Sequence, residues 1–377
     1  MNSRRLFQTL AAVSILAALL TADAHAQSVI TDNDPDRITN TATWMELSGG
    51  VLTSHATLAT KGWGLGFSAF GTNAQAVAKV GSNMCIFISD PGSDDITAFN
   101  ATTYVGQYTD SSGSGAWSGI ALAVHGTTLY AGYSASVNIG IWTINADCSL
   151  TLARNASATP TWAPVDDIAI APNGATLIAT YGYQNVDSFA ISGATLTEKG
   201  PFTAIGYTAG IDITKDSKYA IVGDFSANQT EVEILPINAN STLGATDNYV
   251  IAQGGLDSNN VWLSPDQTLL YVSNNVSIQV TTLNFKESAA AGKRLTFDCL
   301  ISLNTTGRTI TYSGGLATQA ASGVGGYLYV TEAGNPSGMA LLKLTKGQCP
   351  VEVSVSPFDN AAGVVPVTVT VYPPRPF

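Results

Sequence analysis

The residues best suited to chemistry in this chain are carboxylates and amides: Asp166-Asp167, Asp212 and Asn259-Asn260, with Ser118 earlier in the sequence. Oxygen donors of this kind, brought together, suit a hard cation such as calcium. They also suit general acid-base work where burial raises the pKa of one carboxyl. Asp166, Asp167 and Asp212 are the candidate metal ligands, although nothing in the sequence requires a cofactor. The same groups could instead bind water and cap strand ends. A second set is aromatic: Trp63, Phe67, Trp117, Trp162 and Tyr207. On an exposed rim, Trp117 and Trp162 in particular would stack on a saccharide or an aromatic acid; the expected role of the set is to wedge between structural units.

Other chemistry is excluded by inspection. The chain has no HExxH, no GxSxG elbow and no P-loop. The acidic TDNDPDR stretch starts like a calcium loop, but Arg37 and Thr43 stand where an EF-hand needs Gly and Glu, and it reads as a solvated loop between strands. Four cysteines (Cys85, Cys148, Cys299 and Cys349) are too widely spaced for CxxC metal or redox motifs. Three disulfide pairings are open to them, and Cys85, inside the apolar MCIFI, reads as a buried core thiol.

The elements that must position these residues form a repeat. VAKVGSNMCIFISDP (from Val77), IALAVHGTTLYAGYS (from Ile120), IAIAPNGATLIATYG (from Ile168), IDITKDSKYAIVGDF (from Ile211) and VWLSPDQTLLYVSNN (from Val261) each show an alternating strand, a polar turn and a second strand. A looser copy begins at Leu316. The starts lie 43, 48, 43, 50 and 55 residues apart, the period of a four-stranded propeller blade. SVITDND, TATWMEL and VLTSHATL supply the second, third and fourth strands of one further blade. Its first strand is expected from VVPVTVTVY near the C-terminus, which would remove the open edges. The fold class is therefore all-β: one seven-bladed β-propeller domain over residues 27–377, closed by strands from both termini.

These copies resemble the YVTN-type repeats of the seven-bladed lactonase-like propeller family, which includes phosphogluconolactonases and carboxymuconate cyclases. The resemblance rests on SPDQTLLYVSNN, APNGATLIATYG and the opening stretch from Ser28 to Leu58, and spans essentially the whole chain after residue 26. It implies a central channel whose mouth carries any ligand site, and places Ser118, Asp166, Asp167, Asp212, Asn259 and Asn260 at that mouth. It also implies a lactone hydrolase or cyclase acting on sugar-acid or aromatic-acid lactones through His, Arg and Glu. The histidines here depart from that pattern: His55 falls in an outermost strand and His125 in a turn facing away from the mouth. A ligand-binding module with weak or no catalysis is the leading expectation, and a surface adhesion platform is a third.

Residues 1–26 read as a secretory signal: Arg4 and Arg5, an apolar run from Leu10 to Ala22, and an Ala-His-Ala site before Gln27. The paired arginines before Phe7 also match a twin-arginine signal. Cleavage leaves 351 residues with no membrane-spanning run, destined for periplasm or medium. Their 14 Lys and Arg face 26 Asp and Glu, a net charge of −12, which argues against nucleic acid and for a small molecule or saccharide as partner of a monomer.

Overall fold

The computed structural model describes residues 27–66, 73–109, 120–134, 138–157, 165–182, 184–225, 229–252, 255, 257–306, 308–318, 326–345, 347–359, 366 and 368–373. Residues 1–26, read above as a secretory signal, and Phe67, Trp117, Ser118 and Trp162 lie outside these residues.

Blade one contains β1 (Gln27–Asp32), β2 (Thr39–Ser48) and β3 (Val51–Trp63). Blade two is β4 (Gln75–Val80), β5 (Asn83–Asp90), β6 (Asp95–Asn100) and β7 (Thr103–Thr109). Blade three is β8 (Ile120–His125), β9 (Thr128–Tyr133), β10 (Asn138–Ile144) and β11 (Leu150–Ser157). Blade four is β12 (Val165–Ile170), β13 (Thr176–Tyr181), β14 (Asn185–Ser192) and β15 (Thr195–Thr203). Blade five is β16 (Tyr207–Ile213), β17 (Tyr219–Phe225), β18 (Thr230–Pro236) and β19 (Asn248–Ala252). Blade six is β20 (Ser258–Leu263), β21 (Leu269–Asn274), β22 (Gln279–Phe285) and β23 (Leu295–Ser302). Blade seven is β24 (Thr309–Ala317), β25 (Tyr327–Asn335) and β26 (Gly338–Lys343), with β27 (Val351–Glu352) and β28 (Phe358–Asp359) sharing the outer edge of β26. Finally β29 (Thr368–Tyr372) pairs antiparallel with β1, Val371 opposite Val29, and completes blade one as its innermost strand. Neighbouring innermost strands touch in the order β4, β8, β12, β16, β20, β24, β29 and back to β4, so the seven blades close a ring.

The burial pattern follows from this geometry. Second and third strands are covered on both faces by adjacent blades, so β13 (TLIATY) is buried throughout. Outermost strands have one wet face, and β15 alternates half-buried and exposed. The first hairpin of each blade is set by turn chemistry. In Ser264-Pro265-Asp266-Gln267 the Gln267 N–H donates to Ser264 O at 2.8 Å, and Ser264 Oγ donates to Asp266 Oδ1 at 2.7 Å. The chain then enters the left-handed region at Gln267 (φ 54°); Ser217 (φ 64°) and Gly174 (φ 69°) hold the same place in blades five and four.

Cys85 is not a free core thiol. It forms a buried disulfide with Cys148, and Cys299 pairs with Cys349. Cys85 sits in the second strand of blade two and Cys148 in the turn after β10 of blade three, facing each other across the blade boundary. The second bridge joins β23 of blade six to the segment leading into β27 of blade seven. Both therefore staple adjacent blades where no backbone ladder runs between them.

Candidate site at the channel mouth

The innermost strands reach the mouth through β-bulges. Register shifts between Val165 and Asp167, Thr208 and Ile211, Ser258 and Val261, and Ser313 and Leu316 leave Asp166, Ala209-Gly210, Asn259-Asn260 and Gly314-Gly315 outside the regular ladder. An extra residue bends a strand and re-aims its side chains. Four successive blades thus present their bulged residues together, and in blade seven these are two glycines that bring backbone alone. By register, Asp167, Gly210 and Asn260 are equivalent. Asp212 is not one of them: it stands two residues deeper, level with Ala169 and Trp262.

Asp167 and Asp212 act as clasps between blades. Asp167 is buried; its carboxylate accepts from Ile168 N at 2.8 Å, from Ile211 N of blade five at 2.9 Å, and from Asn73 Nδ2 at 2.8 and 3.0 Å. Asn73 precedes β4 in blade two, so its bond to blade four passes across the channel in front of blade three. Asp212 accepts from Ile213 N at 2.8 Å and from Leu263 N of blade six at 2.7 Å. These N–H groups satisfy the two carboxylates as acceptors between blades. Asn260 N–H donates to Ser273 Oγ at 3.1 Å, and the Asn259 carbonyl lies 2.6 Å from the point a Cβ on Gly210 would occupy.

Asp166 differs. Its residue is half-buried, its Oδ1 is shut from solvent with no hydrogen-bond partner, and its Oδ2 faces Gly182 in the loop after β13. Burial first, then the charge of Asp167, pushes its carboxyl up to about 8, against the opposing pull of the Gly182 N–H. A carboxyl that keeps its proton at neutral pH donates as well as accepts.

Trp63 and Tyr207 are 51% and 53% exposed, so they do not wedge between blades as the sequence suggested. Both stand at the mouth-side end of a strand. His55 lies on β3, 3.5 Å from Glu46 and against the Trp44 ring, and His125 packs against Gly174 at the opposite face. Neither reaches the mouth.

The TDNDPDR stretch is solvated only at its end: Asp36 and Arg37 are exposed, and Thr31 to Pro35 are buried. Asp32 and Asp34 are buried, because Asp32 accepts from Asn40 Nδ2 at 2.9 Å and Asp34 from Leu65 N at 2.8 Å as the loop folds under the next inter-blade connection. Burial drives both carboxyls well above their ordinary range. Asp32 belongs to a ring that sequence reasoning missed. Each second strand carries a buried polar residue at or near its mouth-side end: Asp32, Asp90, Tyr133, Tyr181, Asp224, Asn274 and Glu332. A fixed offset of 13 residues from the copy starts at Val77, Ile120, Ile168, Ile211 and Val261 was the available signal. Asn73, outside any repeat strand, carried none.

No family model matches this chain, and no curated protein matches it. Solved structures do. A protein from Lactobacillus plantarum shares 16% identity at a TM-score of 0.69, with 92% of this chain and 99% of that one covered. A candidate 6-phosphogluconolactonase from Bacteroides fragilis shares 14% at 0.67, covering 93% and 99%. The periplasmic gluconolactonase of Pseudomonas aeruginosa shares 12% at 0.57, covering 74% and 86%. The chain has the seven-bladed propeller fold of lactonase-like proteins; at these identities the likeness extends to the fold and not to the chemistry.

Proposed function

We propose that the protein is an exported binder of a small, uncharged polyhydroxyl or lactone ligand at the channel mouth, with weak or no hydrolysis. The observation that carries this reading is Asp166: a bulged, half-buried carboxyl held protonated near neutral pH beside the Asn73–Asp167 bridge. A neutral acid hydrogen-bonds hydroxyl and carbonyl groups in both directions, whereas the neighbouring Asp167 and the net charge repel phosphate and carboxylate ligands. Two disulfides support an oxidising compartment and hence export. The distance of both described histidines from the mouth weighs against lactone hydrolysis by imidazole.

A second reading uses the same group. A carboxyl titrating near 8 is poised for general acid catalysis, which would make the chain a lactone hydrolase. Titration calorimetry with glucono-δ-lactone, neutral polyols and 6-phosphogluconate, run beside a pH-stat hydrolysis assay, separates the two. Saturable binding of a neutral ligand without turnover, weakened about tenfold or more in Asp166→Asn, supports the binder. Saturable turnover lost in Asp166→Asn installs the hydrolase, and preference for the phosphorylated ligand overturns both.

A further inference from the structure

Two members of the ring of second-strand residues, Asp224 and Glu332, are buried with both carboxyl oxygens unbonded among the described residues; the positive charge of Arg308 acts on Glu332, whereas only the acids Glu233 and Glu231 act on Asp224. In blade two, Asp90 is buried and fully served: Thr60 Oγ1 donates to Oδ1 and Thr97 Oγ1 to Oδ2, both at 2.6 Å. In blade six, Asn274 takes Thr230 Oγ1 at 2.5 Å and donates to Thr281 Oγ1 at 2.8 Å. Each is covered by a glycine at the end of the preceding blade or just beyond it, Gly62 of β3 over Asp90 and Gly255 over Asn274. Blade five repeats the frame, since Gly206 lies over Asp224, where its Cβ would fall 2.6 Å from that of Asp224.

The donors, however, are gone. Two residues before the covering glycine, where blade two has Thr60, blade five has Ala204. Two residues along the third strand from the position opposite, where blade two has Thr97, blade five has Glu233. Asp224 is 0% exposed, and among the described residues neither of its carboxyl oxygens has a hydrogen-bond partner. Opposite it stand Glu231 of β18 and Thr208 of β16, whose hydroxyl is given to the Tyr181 and Asn185 carbonyls, and Glu233 lies on the same face. Glu233 is held in place by Ile205 N at 3.0 Å and by the Thr246 hydroxyl, and Glu231 by Tyr249 OH at 2.5 Å and Gln229 Nε2 at 2.7 Å. An unserved buried carboxylate costs several kcal/mol unless a positive species accompanies it. Replacing two hydroxyl donors by an alanine and a second carboxylate converts a hydrogen-bonded socket into an all-oxygen, negatively charged one.

We propose that this socket in blade five binds a hard divalent cation of calcium's size between the carboxylates of Asp224 and Glu233. Oxygen-only donors in a net-negative pocket select such an ion over the softer metals that prefer thiolate or imidazole. Asp224, Glu231 and Glu233 do not all close within 4.8 Å of one another, so the ion is assigned to Asp224 and Glu233, and Glu231 is left with Tyr249 and Gln229. The site lies in blade five behind the second strand and does not depend on what the channel mouth binds.

The test uses the purified full chain, stripped with chelator and melted with and without calcium, in parallel with metal analysis before stripping. Calcium is expected to raise the melting temperature of the wild type by a few degrees at a hundredfold excess over Kd. Asp224→Asn is expected to lose that rise while melting at or above the stripped wild type, because the substitution removes a buried charge and restores a donor. Glu233→Gln, the second variant, is expected to lose the rise as well, and Asp166→Asn to keep it. No calcium response in the wild type, or one retained in Asp224→Asn and Glu233→Gln, overturns the proposal. So does an Asp224→Asn protein markedly less stable than the stripped wild type, which would make the carboxylate a structural acceptor.

Discussion

Replacing Asp167 by alanine tests whether the mouth carboxylates are clasps or ligands. The carboxylate accepts two backbone N–H groups, one its own neighbour's and one from blade five, and the Asn73 amide from across the channel. Hydrogen bonds to a charged group contribute about 1.5–3 kcal/mol each, and a buried donor left unmet costs about 1–3 kcal/mol. Water from the channel can reach Asn73 but not easily the two N–H groups beneath it, so the loss is set at about 3–5 kcal/mol. An unfolding entropy of about 2.1 cal/mol/K per residue over about 350 residues translates this into a fall of about 4–7 °C in melting temperature. Differential scanning calorimetry of Asp167→Ala beside Asp166→Asn reads it directly, with near-UV circular dichroism to confirm that the variants fold. Asp167→Ala should lose stability by that amount, while Asp166→Asn should match or exceed the wild type, since it removes a carboxyl that burial already disfavours. A shift under about 1 °C for Asp167→Ala would refute the clasp.

The pH dependence follows from the buried acids. Asp166, Asp224 and Glu332 titrate at about 8 in the folded protein, with burial the first cause, against about 4 when unfolded. The native state therefore holds protons that the unfolded chain releases between those values, so stability should be greatest near pH 4–5 and fall as pH rises to 8, by up to about 1.4 kcal/mol per unit per group. Melts in chelator from pH 4.5 to 8.5 check this, and a flat or rising profile contradicts it. The Cys85–Cys148 bridge closes a separation of 63 residues, which on the chain-entropy account contributes about 4 kcal/mol, so Cys85→Ser/Cys148→Ser should unfold at clearly lower denaturant concentration. Truncation after residue 365 removes β29, uncovers the β1 edge and deletes Val369 and Val371 from the core; size exclusion should show aggregation instead of a cooperative monomeric fold.

Much of the architecture was legible because a propeller writes its period into the chain. The turn residues of WLSPDQTLLYVSNN recur at nearly regular spacing, and the missing first strand of blade one could be assigned to VVPVTVTVY by elimination, as β29 bears out. The site was less legible because residues were aligned by proximity to a strand start and not by register. Asp212 was grouped with Asp167 although it stands one residue after its copy start, Ile211, while Asp167 stands one before Ile168, so the repeat itself sets them two residues apart. The aromatic and acidic residues were misjudged for a related reason. Whether TDNDPDR faces water or folds under Leu65, and whether Tyr207 packs or projects, depends on the path of the inter-blade connections. The disulfides needed the angular order of the blades: Cys85 and Cys148 are neighbours only because blades two and three are.

The affinity of the wild type for a neutral lactone or polyol, measured by calorimetry from pH 5 to 9, bears most directly on the account. Binding should hold steady up to about pH 8 and weaken above it as Asp166 ionises, while Asp166→Asn should bind more weakly and without that inflection. Affinity indifferent to pH across this range in the wild type, or unchanged by the substitution, would contradict the assignment of the site.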